Sequence, residues 1–229
     1  MAKIQYQNNE RMYFNGTFKI SPDIFYQIGI IRVRINETRS YLATAFAFMR
    51  NKTEESYKII FNVIKNNIQR LSQINAYYTP KYFHCVKEIA IIISAKSLYT
   101  GTNIQLCYFH YSDNIRNHLH SSQIIRLFER DENSKLLAFA IKGLCFVPSD
   151  YIVGVFENIK TEIIDKNYNE LKDFISYFED NWIKWDEPKD WNYHDSSIFI
   201  TNNPCEPYNH HLNGVFHGKN LNFIIVLLI

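Results

Sequence analysis

A few positions along the chain carry residue types and spacings that could do chemistry. Cys107 and His110 are spaced like one half of a zinc site, which His210 or His211 could complete. For a half pattern the alternative is a packed, hydrogen-bonded pair, so no zinc is expected. Cys205 stands shortly before the same histidines, the order a thiol nucleophile would use, although no neighbouring residue stands out as its activator. Asn203, Pro204 and Glu206 together read as a helix start, with Asn203 capping, Pro204 in the first turn and Glu206 closing a capping box. Asn15-Gly16, set between alternating apolar residues, is a strong short-range signal for a tight hairpin turn. Trp182, Trp185 and Trp191 offer faces on which bases could stack, or else pack a helical segment. Lys65, Arg70, Lys81, Lys87 and Lys96 are scattered, as on an ordinary solvated face.

Composition narrows the classes. The 229 residues suffice for one domain with a core, or for one domain with a large insertion, and an apolar fraction of 46% excludes a disordered chain. A net charge of +2 leaves no whole-chain footprint for nucleic acid, so any DNA groove has to be a local patch. The four cysteines contain no Cys-x-x-Cys pair and the N-terminus has no secretory pattern, which predicts free thiols in a reducing compartment. No apolar run is long enough to span a membrane, so no membrane partner is expected. The longest, FIIVLLI at the C-terminus, is expected to pack on a core.

The elements that must position these residues follow from hydrophobic period. RMYFNGTFKI, IFYQIGIIRVRI and SYLATAFAFMR alternate and read as three strands, with a turn at Ser21-Pro22-Asp23, predicting an antiparallel meander. A helix follows, capped by Asn51 with Glu54 closing a capping box, and burying Tyr57, Ile60, Phe61, Ile64, Ile68 and Leu71 on one face. YTPKYFHCV reads as a buried strand, KEIAIIISAKS as a helix and IQLCYF as a further strand, together a parallel βαβ unit beside the meander. Residues 112–183 are helical in pattern, with EPKDWNYHDSS as loop after them and a last helical region from near Asn203.

Four stretches in this order resemble the Mutator-like element transposases. YFNGTFKI stands where that family has an Asp-Gly-Thr-Phe segment, and FHCVKEIAI where it has Asp-Phe-Glu opening a helix. CYFHY matches its Cys-x-x-His element, and TNNPCEPYNHHLN its Thr-Asn-Asn-x-x-Glu segment. AFAFMRNKTEESY, GLCFVPSD and NLNFI are further similar pieces, so the resemblance covers nearly the whole chain.

The resemblance implies an α/β, ribonuclease-H-like fold: a mixed sheet of an antiparallel three-strand meander plus parallel strands, interrupted by an all-helical insertion. The expected division is 10–111 as the core, 112–195 as the insertion and 196–229 as a C-terminal helical part returning Glu206 to the core. It favours an unbroken strand through Asn15-Gly16 over the hairpin. It further implies a nuclear protein with duplex DNA and further copies of itself as partners and Mg²⁺ as cofactor. An Asp-Asp-Glu triad holds two ions, one activating the attacking oxygen and the other stabilising the leaving oxygen. Carried over residue by residue, the first acid falls on Asn15, the second on Val86 and the third on Glu206. Asn offers only a neutral carbonyl and Val offers no ligand, so two mutually repelling divalent ions lack the anions between them. The expectation is a catalytically degenerate and truncated transposase, the family's zinc-finger region having no match here. A repurposed module that binds DNA or protein without cutting is the alternative. A third possibility, an active nuclease with substituted ligands, requires metal-dependent nicking that vanishes in Glu206→Ala. Glu88, two residues beyond Val86, is the nearest acid that could compensate, but the first turn of a helix would aim it away from the strand ends.

Overall fold

The structure, a computed structural model, describes residues 10–18, 21–35, 40–72, 78–185 and 188–195. Among these, residues up to Cys107 form one compact unit and residues from Tyr108 onward form a second.

The first unit is built on a five-stranded mixed sheet. β1 (Arg11–Thr17), β2 (Gln27–Ile35) and β3 (Ser40–Met49) form an antiparallel meander. β4 (Tyr82–Cys85) and β5 (Asn103–Leu106) add in parallel beside β1, giving the order β3-β2-β1-β4-β5. β1 runs unbroken through Asn15-Gly16, which pair with Ile30 and Gly29 of β2, so the local hairpin signal is overridden. The chain turns later: Phe25 N–H donates to the Pro22 carbonyl at 2.8 Å, and Ser21 N–H to the Phe18 carbonyl at 3.0 Å.

Gly16 sits in a strand because another side chain occupies the space a Cβ would take. Such a Cβ would lie 2.5 Å from Gln27 Oε1. Gln27 is buried, and its Nε2 donates to the Tyr57 hydroxyl at 2.9 Å, so the amide cannot simply swing aside. The cross-strand partner Gly29 is crowded in the same way by the Phe14 ring, 2.9 Å from its would-be Cβ. Gly16→Ala is therefore expected to lower stability by about 1–3 kcal/mol, the range for overpacking a filled site. The midpoint of urea unfolding reads this, and an unchanged midpoint would show that Gln27 yields freely.

α1 (Glu54–Ser72) and α2 (Ile89–Leu98) lie on one face of the sheet. α1 buries Tyr57, Phe61, Ile64 and Ile68, the i, i+3/i+4 stripe expected, while Ile60 is only half-buried. The expected Asn51 cap is displaced. The helix begins after Thr53, whose Oγ1 accepts from Ser56 N–H at 3.3 Å, while Asn51 Oδ1 accepts from Thr53 N–H at 3.2 Å. Asn51 thus builds a local turn ahead of the helix, because two residues separate it from the first free amide. The two helices are tied by Ser94 Oγ donating to the Glu54 carbonyl and by Lys65 Nζ donating to the Leu98 carbonyl at 2.7 Å.

The expected strand IQLCYF ends at Leu106. Tyr108 already begins α3 (Tyr108–Leu119), so His110 is helical, and the Cys-x-x-His stretch spans a strand-to-helix junction. The second unit continues with α4 (Ser122–Arg130), α5 (Glu132–Gly143), α6 (Ile152–Asp165) and α7 (Lys172–Phe178). Ser121 and Asp131 cap α4 and α5 by accepting from first-turn amides. No strand occurs among its described residues. Its core gathers Tyr111, Phe156, Phe178, Trp182 and Trp191. Trp182 and Trp191 pack against Tyr111 at ring-centroid distances of 4.7 and 5.7 Å and are buried, which removes both as base-stacking faces. The stretch expected as loop after α7 is an anchored strap: Tyr193 N–H donates to the Cys145 carbonyl and Asn192 Nδ2 to that of Val147, both at 2.6 Å.

Candidate functional site

Of the three expected triad positions, the described residues include two. β1 and β4 run side by side, with Tyr13 in register with His84. Two residues further along each chain stand Asn15, buried inside β1, and Val86, half-buried just beyond the end of β4. The pairing of the two strands stops at Tyr13 and His84. Glu206, Cys205, His210 and His211 lie outside the described residues.

Strand alternation assigns the side chains to faces. Phe14 packs edge-on against Tyr57 and Phe61 of α1, so Asn15 points to the opposite face together with Tyr13. The charged strand residues on that face are all cationic. The five strands contain no Asp or Glu, and their only charged residues are Arg11, Arg32 and Arg34, all on the Asn15 face by the same alternation. Arg11 Nη1 lies 3.0 Å from His84 Nε2 and 3.3 Å from Gln105 Oε1. Arg32 Nη2 donates to the Tyr41 carbonyl at 3.0 Å. Among the described residues, the two candidate positions are a neutral amide and an alkyl group, and the charged strand residues on their side of the sheet are guanidiniums. Among the described residues there is no cluster of three or more His, Cys, Asp or Glu side chains suited to a metal.

His84 is the chemically distinctive group on this face. It is buried and stacked on Tyr13 at 4.3 Å. Burial, and next the Arg11 charge, push its pKa down to about 3. Arg11 can only donate, so Nε2 accepts and the ring is neutral with its proton on Nδ1. The functional residues expected from sequence did not include His84 or Arg11; an isolated histidine inside an apolar strand was the available signal.

A second cluster lies on the α1 side. Glu88, the residue before α2, accepts from the Tyr57 hydroxyl at 2.5 Å and from Lys52 Nζ at 3.1 Å. Burial, and then the hydrogen bond to Glu88, hold the Tyr57 phenol well above its usual range. Gln27, Tyr57, Glu88 and Lys52 thus form one polar chain from β2 to α2. Glu88 engages α1, on the face opposite Asn15. Beside it, burial pushes the Lys87 amine down to about 8. Cys107, buried after β5, donates its N–H to the Cys85 carbonyl at 2.9 Å, and His110 lies in the first turn of α3. Cys85, Cys107 and Cys145 are free thiols. Two of the basic residues noted from sequence form local contacts: Lys65 on the end of α2, and Lys81 with Glu10 at 3.6 Å.

No protein-family model, curated protein or solved structure matches this chain.

Proposed function

We propose that this protein derives from a DNA transposase of the Mutator-like class, with a ribonuclease-H-like first unit that no longer cuts DNA. The observation that carries the reading is the parallel β1–β4 pairing, whose last pair, Tyr13 with His84, stands two residues before Asn15 and Val86, the positions that the resemblance assigns to acids. The strand order β3-β2-β1-β4-β5, with helices after β3 and β4, supports the same reading. So does the helical unit that follows β5. Loss of cutting follows from charge. Where the family's chemistry needs carboxylates around Mg²⁺, the sheet here offers an amide, a valine and three guanidiniums. Nuclear residence and duplex DNA as partner belong to this proposal.

Restoring the acids tests it. Asn15→Asp with Val86→Asp is expected to create saturable Mn²⁺ binding, measured by titration calorimetry, that the wild type lacks. Position 15 is buried, so the new carboxylate has its pKa raised without metal, and binding should release protons and strengthen with pH. A double variant that keeps its circular dichroism spectrum and binds no Mn²⁺ would remove the site assignment and the reading with it.

A second reading, a module that binds nucleic acid without cutting it, is favoured by exposed aromatic and cationic side chains at the end of β1.

A further inference from the structure

We infer that the carboxyl end of β1 carries a stacking platform for single-stranded nucleic acid, formed by Phe18 and Tyr26 with Lys52 and Arg50 as partners for phosphate. The inference rests on the binding reading above and adds to it the form of nucleic acid and the residues that hold it.

Phe18 and Tyr26 are 48% and 54% exposed, and Ile24 between them is 71% exposed. Large apolar side chains gathered at one exposed point mark a contact surface more often than scattered ones do. The two rings meet edge to face at 5.4 Å, and each stays about half exposed. Lys52 Nζ stands 4.6 Å from the Phe18 ring centre and 5.7 Å from that of Tyr26, so a cation sits beside both rings. Arg50 is exposed and directly follows Met49, whose carbonyl accepts from Tyr26 N–H at 2.7 Å. A single strand offers unpaired bases to stack on the rings and a phosphate backbone for the cations, whereas an apolar protein partner would use the rings alone. Lys52 also pairs with Glu88 at 3.1 Å, which holds its amine near the rings.

The platform is held in shape. The Phe18 carbonyl accepts from Ser21 N–H, the Pro22 carbonyl from Phe25 N–H, and the Phe25 carbonyl from Ser21 Oγ at 2.9 Å. Phe25 itself packs on Phe48 at 5.3 Å, anchoring the turn from beneath while its neighbours face solvent. Rings presented on a preformed turn lose little freedom when a base stacks on them.

The test uses the full chain and fluorescence anisotropy, with a labelled single-stranded 20-mer of mixed sequence and the duplex of the same sequence, each at low and moderate salt. The single strand is expected to bind more tightly than the duplex. Phe18→Ala with Tyr26→Ala should weaken single-strand binding roughly ten- to a hundredfold and duplex binding much less. Lys52→Gln should lower the salt slope by about 1. All three positions are at least partly exposed, and an unchanged unfolding midpoint checks that the variants fold. Duplex binding that equals or exceeds single-strand binding, and that ignores the aromatic variants, overturns the platform and leaves the binding reading standing. Absence of binding to either form at low salt removes both. Concentration-dependent self-association abolished by the aromatic variants, without nucleic-acid binding, would assign the patch to a protein partner and also overturn the proposal.

Discussion

Phe61→Ala is expected to cost about 3–5 kcal/mol, the range for truncating a buried aromatic ring. Phe61 is fully buried and is the ring through which α1 grips the sheet. It meets Phe14 of β1 at 5.4 Å, Phe83 of β4 at 5.2 Å and Tyr99, beyond α2, at 6.2 Å. Its carbonyl also accepts from the Tyr99 hydroxyl at 3.1 Å. Removing the ring opens a cavity among β1, β4 and Tyr99, none of which can close it alone. Folded domains hold only about 5–15 kcal/mol in all, so the variant should sit near the edge of unfolding at room temperature. Val63→Ala on the exposed side of the same helix is the control, expected to change stability by no more than about 0.5 kcal/mol. Urea unfolding followed by circular dichroism compares the two. A loss for Phe61→Ala no larger than that of the control would mean that α1 does not pack as described.

Acid should weaken the fold through His84. In the unfolded chain this imidazole takes a proton near pH 6.5; in the folded protein, burial and Arg11 hold it neutral down to about 3. Between those values the unfolded state binds the extra proton, so stability falls as the pH falls. The loss is roughly 1 kcal/mol per pH unit below about 6.5, and it is absent above that value. His84→Gln keeps an acceptor for Arg11 and removes the titration. The variant loses the stack on Tyr13 and should be less stable at pH 8, yet its stability should vary little between pH 7.5 and 5.5 while that of the wild type declines. The comparison stops at 5.5, before carboxylates protonate. Equal slopes for wild type and variant in that window would show that His84 is protonated in the folded protein.

The proposed transposase ancestry connects these structural tests to function. Both Phe61 and His84 hold β1 and β4, the strands that carry or lead to Asn15 and Val86. The Mn²⁺ test of the restored acids is therefore meaningful only in a background where this packing persists.

Local pattern alone determined the strands and helices of the first unit. Alternating apolar residues and the stripe through Tyr57, Phe61, Ile64 and Ile68 depend on neighbours a few residues away, and the folded elements keep those neighbours. That positions 15 and 86 carry no acid could also be read directly, and a valine cannot coordinate whatever surrounds it. Tertiary structure decided the rest. Asn15-Gly16 signals a hairpin locally and becomes strand because β2 and β4 pair along β1, and because Gln27 fills the space over Gly16. Tyr57 and Glu88, 31 residues apart, become hydrogen-bonded partners only once α1 and the start of α2 share a face of the sheet. The neutrality of His84 likewise exists only after burial beside Arg11. Contacts between distant segments form when the sheet closes, and no pattern within either segment alone encodes the other.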